Sequence, residues 1–129
     1  MTSSNPSEPM SLDEAIAAVE ETYEFMLAYA AQGRRVEEDS SSSGIRAYLE
    51  RAEAALTVIA AAKVPGKAAE QFLDVVRQDV AKAGAALRFV LAQPSVSSQL
   101  VDNLNASIHV RALLTDLFLL DEALKTSVS

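Results

Sequence analysis

Apolar residues recur at alternating steps of three and four along three stretches of this chain, and that spacing limits its fold more than any other feature. Leu12, Ile16, Val19, Tyr23, Met26 and Ala30 make the first seam, and Ile45, Leu49, Ala52, Leu56 and Ile59 the second. Ala69, Leu73, Val76, Val80, Ala83, Leu87 and Val90 make the third. At 3.6 residues per turn such positions share one helix face, and that face has to be buried against other helices. A sheet would need a period of two and more β-branched and aromatic side chains than this alanine-rich chain supplies.

The ends of these segments carry matching signals. Ser11-Leu-Asp-Glu14 has the spacing of a capping box, in which two side chains satisfy the first free amides of a helix. Gly33 suits the residue just past a helix end, with Arg34 and Arg35 beside the negative terminus. Lys63 is expected in the last turn of the second helix, before a turn at Pro65-Gly66. Pro94 closes the third, because proline disfavours helical backbone in the residue before it. A fourth helix is expected to start at Ser95, Ser97 or Ser98. Its seam of Leu100, Val101, Leu104 and Ile108 broadens into Leu113, Leu114, Leu117, Phe118, Leu119, Leu120 and Leu124.

Short connections make neighbouring helices run in opposite directions. The expected fold is therefore all-α: an antiparallel up-down-up-down four-helix bundle, one domain over residues 11–126, behind a short disordered N-terminal lead at 1–10. The stretch VEEDSSSSG after the first helix is expected to be a mobile loop, the one place for a crossover and a candidate for phosphorylation.

Composition narrows the function. A net charge of −7 over 129 residues opposes nucleic acid, which is gripped by a lysine and arginine footprint, while leaving a basic protein surface allowed. The chain has no cysteine, hence no disulfide, thiolate metal site or cysteine nucleophile. MTSSNPSEPMS lacks the basic and apolar regions of a secretory signal, and no uncharged apolar run is long enough to span a bilayer. A cytoplasmic protein is expected.

His109 is the sole histidine. On a continuous helix Asp102, Asn105, His109 and Asp116 would form one polar stripe, usable as a base, a ligand or a phosphoacceptor. The alternative is the solvated edge of an amphipathic helix, and that is the expected role. Di-iron bundles need Glu-x-x-His on two helices, whereas Ala106 stands three before His109 and no second histidine exists. A phosphotransfer domain would have lysine and glycine after its histidine, where this chain has Val110, Arg111 and Ala112. Haem held between Met26 and His109 is the sharpest ligand-binding alternative, since the end of a first helix lies beside the start of a fourth. No seam position is acidic, so no buried carboxylate is expected, and with it no enzyme, metal or cofactor.

Apolar residues beyond the seams point elsewhere. Phe25 and Tyr29 flank the first seam; Val75, Ala85, Ala86 and Phe89 flank the third. In the widened helix Leu113, Leu117, Leu120 and Leu124 share one stripe, and Leu114 and Phe118 another. One bundle needs a single stripe, so an interaction surface is expected at Phe89, Leu114, Phe118 and Leu120. The reading is a non-enzymatic protein–protein interaction module, of the adaptor, chaperone or immunity kind, that forms a homodimer and binds another protein.

Overall fold

The computed structural model describes residues 10–37 and 44–127. Residues 1–9 of the expected lead and most of the serine-rich stretch lie outside them. Among the described residues every regular element is a helix: α1 (Leu12–Ala31), α2 (Ile45–Ala61), α3 (Lys67–Leu91), α4 (Ser98–Ala106) and α5 (Ile108–Ser127).

Helix ends follow the local chemistry. The Ser11 hydroxyl accepts from the Glu14 amide at 3.1 Å while the Glu14 carboxylate accepts from the Ser11 amide at 2.9 Å. Gly33 takes φ 68° just past α1, a conformation that costs other residues about a kilocalorie or more. Helix α2 ends at Ala61, so Lys63 lies beyond it rather than in its last turn. The free carbonyls of Ala60 and Ala62 are instead taken by Arg77 of α3, at 2.8 and 2.9 Å. Ser97 starts α4, its hydroxyl accepting from the Leu100 amide.

One continuous fourth helix is not what forms. Ser107 has extended backbone (φ −60°, ψ 131°) and separates α4 from α5. Its hydroxyl accepts from the His109 amide and its carbonyl from the Arg111 amide, so it restarts the helix it interrupts. The break changes what each half touches: α4 packs mainly on α1, and α5 mainly on α3.

The three seams meet in one core. Ile16, Leu49, Ile59, Leu73, Val76 and Leu117 are among its fully buried side chains. Fully burying a side chain of this size stabilises by about 1.5–3 kcal/mol. Tyr29 belongs to this core and donates its hydroxyl to the Val96 carbonyl at 2.6 Å. Phe25 is partly buried and stacks on Tyr48, with ring centroids 4.0 Å apart.

A polar clasp closes one end of the structure. Arg46, in the first turn of α2, grips Glu37 with two nitrogens at 2.9 and 3.1 Å. The same guanidinium donates to the carbonyls of Leu91 and Gln93 at the end of α3. Glu37 also accepts from the Val96 amide. The ends of α1 and α3 and the starts of α2 and α4 are thereby tied together.

Candidate functional site

The face formed by α3 and α5 collects most of the unexplained chemistry. On α3, Phe72, Val75, Asp79, Lys82, Ala86 and Phe89 are spaced by three and four, one residue out of step with the buried seam. A shift of one residue turns a helix face by about 100°. This second stripe therefore lies beside the core-facing one: Phe72, Asp79 and Ala86 are partly buried, whereas Val75, Lys82 and Phe89 are exposed. Phe89 is the extreme, an aromatic ring with 66% of its surface in solvent.

Helix α5 adds to the same side. Asp116 faces Asp79 of α3, and its Oδ2 atom is buried with no hydrogen-bond donor reaching it. Two carboxylates can share a hydrogen bond only when one keeps its proton. Burial, the hydrogen bond that the protonated Asp116 donates to Asp79 and the repulsion of the Asp79 charge raise the Asp116 carboxyl to about 7. The absence of acidic seam residues gave no hint of this pair. Asp116 was visible as part of a polar stripe, but its partner sits on another helix, and a single helix pattern does not register that meeting.

The expected polar stripe is divided. Asn105 is buried, and its Oδ1 lacks a partner among the described residues. Asp102 and His109 are exposed, and the extended backbone at Ser107 breaks the helical register that would align them. Met26 is buried and lines a cavity of about 30 Å³ with Leu87, Leu104, Val110 and Leu113. His109 does not line that cavity, whose volume is far too small for a macrocycle. Nowhere among the described residues do three potential metal ligands gather.

The expected interaction residues also divide. Phe89 and Phe118 are exposed, at 66% and 49%, and Leu119 joins them at 60%. Leu114 and Leu120 are not surface residues: both are buried in the core, at 6% and 4% exposure. Leu113, Leu117 and Leu120 form the stripe that α5 turns to the core, and Leu114, one turn before Leu117 and beside Leu113, widens it. Ile108, expected in the seam, is instead 74% exposed at the start of α5. No described helix is long and apolar enough to cross a membrane.

Compared with known proteins, the chain has no significant match to a protein family, a characterised protein or a solved structure.

Proposed function

We propose that this chain is a non-enzymatic interaction module that acts through the α3–α5 face. On this reading α4 and α5 share the fourth position of an antiparallel up-down-up-down bundle, and the bundle is a rigid platform for that face. The observation that carries the proposal is the set of large apolar side chains left in water there, Val75 and Phe89 on α3 with Leu119 on α5. Scattered apolar residues on a surface mean little, but aromatic rings held on rigid helices are what interfaces are built from.

The carboxylates of Asp79 and Asp116 add a condition on the partner. A purely apolar surface would strip water from the partly exposed Asp79 carboxylate, so an occupant that presents a cation beside its apolar groups is favoured. An acidic protein with a net charge of −7 is suited to such an occupant.

The test is a substitution that leaves the fold alone. Phe89→Glu should keep helical content and thermal unfolding unchanged while abolishing both self-association and partner capture from the native host. A variant that assembles and captures as the wild type does would remove the α3–α5 face from the function.

A further inference from the structure

The outer stripe of α3 reads the same from both ends. About its midpoint, between Asp79 and Lys82, Phe72 mirrors Phe89, Val75 mirrors Ala86, and Asp79 mirrors Lys82. A stripe of this kind is self-complementary when the same helix is laid against it in reverse. Aromatic then meets aromatic, small meets branched, and acid meets base.

We propose that α3 docks antiparallel on α3 of a second copy, with Lys82 of each chain reaching the Asp79–Asp116 pair of the other. This rests on the interaction reading above and commits it to one occupant. A two-fold axis across the midpoint gives an isologous contact, in which every pair occurs twice. Because that axis also brings α5 of both copies to the same side, Leu119, which shares the α3-facing side of α5 with Asp116, joins the interface rather than remaining outside it.

Charge selects this register. Lys82 is exposed and makes no ion pair among the described residues, although it lies one turn from Asp79. Asp79 likewise makes no ion pair among them. Each supplies across a copy boundary what the other lacks. A parallel arrangement would instead set Lys82 against Lys82 and Asp79 against Asp79. Both chains carry −7, so the two local cation–carboxylate contacts oppose a general repulsion that salt weakens.

Protons report the same contact. From α3 the charged groups beside Asp116 are Asp79 and, one turn on, Lys82; from its own helix His109 lies two turns back and is exposed; α1 and α4 contribute none to its ionisation. In the single copy Asp116 keeps its proton up to about pH 7. An ammonium from the second copy favours the ionised form, so pairing releases protons. The dimer should therefore tighten as pH rises toward 7.

Charge exchange between two variants tests register and partner together. Lys82→Glu alone sets acid against acid in its homodimer, and Asp79→Lys alone sets base against base. Mixed, the two variants restore both opposite-charge pairs. Sedimentation velocity should show each variant weakened in self-association by about tenfold or more, and their equimolar mixture dimeric. Helical content and thermal melting confirm that each variant is folded; should Asp79→Lys not fold, Asp116→Asn replaces it, with dimerisation losing its rise toward pH 7 because the titrating carboxyl is gone. A wild type that stays monomeric at hundreds of micromolar overturns the proposal, as does a mixture no more dimeric than its components. If such a monomer still captures a host protein, and Phe89→Glu ends that capture, the interaction reading stands and only the second copy is wrong.

Discussion

Asp116 on α5 faces Asp79 on α3 with no cation of the same chain between them, and its Oδ2 is sealed from solvent. Bundles of this size usually keep carboxylates on the outside, where water solvates them. Here the two helices that pack most closely on that side bring two acids together. The cost of separating the proton from Asp116 is built into the packing.

That cost makes stability depend on pH with a definite sign. The ordinary value for the group is 3.8, and the fold raises it to about 7. Between these values the folded monomer holds a proton that the unfolded chain has lost. The contribution is fully present below pH 3.8 and disappears progressively as pH approaches 7. Urea unfolding of dilute protein should show this decline, measured as the difference from Asp116→Asn, which lacks the titration. A flat difference across pH 4–7 would mean that Asp116 ionises freely.

The Glu37–Arg46 clasp works in the opposite direction. Hydrogen bonding to Arg46 holds the Glu37 carboxyl below its usual range despite the opposing effect of burial. Its contribution is present above the ordinary value of 4.5 and is lost as pH falls below that. Arg46→Ala strands a side chain that is only 8% exposed and frees the carbonyls of Leu91 and Gln93. A loss of about 2–4 kcal/mol should follow in denaturant titrations at pH 7. Arg46→Lys should recover part of it, since an ammonium keeps the charge without the fork.

These two pairs show what was legible in the sequence and what was not. The second and third seams gave their part of the core almost residue by residue, because burial on one helix face leaves a periodic mark in that helix alone. Ile45, Leu49, Ala52, Leu56 and Ile59 are all buried as their spacing implies. Contacts between helices leave no such mark. Glu37 and Arg46 meet through a connection, and Asp79 and Asp116 meet through packing, so neither pair shows as a pattern. The break at Ser107 had a local signal, a serine able to accept from the amide two residues on, but continuous apolar spacing on both sides masked it. Read as one helix, the segment puts Ile108 in the core, whereas it lies in solvent; counting two separate apolar stripes puts Leu114 and Leu120 at the surface, whereas both are buried.

Ser107→Ala should accordingly cost more than an exposed serine usually does. The hydroxyl that accepts from the His109 amide starts α5, and removing such a cap costs about 0.5–2 kcal/mol. Thermal unfolding should report the loss without a change in the far-ultraviolet helical signal. A gain in helicity instead would show that α4 and α5 merge once the cap is gone.

His109 itself makes no side-chain contact that the fold depends on, and it is exposed. His109→Gln should change stability by no more than about 0.5 kcal/mol, the usual range at such positions. Dimerisation should also be retained. A large effect on assembly with intact folding would place the imidazole in an interface.

Phe118 and Leu120 are two residues apart on α5 and should respond to glutamate in opposite ways. Leu120 is 4% exposed and packs in the core with Leu113 and Leu117. A carboxylate there loses the leucine's packing, worth about 2–5 kcal/mol for truncation alone, and adds an unpaired charge without solvent. Against the 5–15 kcal/mol that holds a typical domain together, that is enough to unfold much of the population. Phe118 is 49% exposed, so a glutamate at that position can reach water. Phe118→Glu should leave the helices, their melting and self-association unchanged, because two residues on from Asp116 its ring is turned about 200° away from the side that faces α3. The pairing of outcomes matters more than either alone. If Phe118→Glu also unfolds the chain, its ring supports the core of a single copy; if it folds but loses self-association, the interface extends round α5 beyond the side that faces α3.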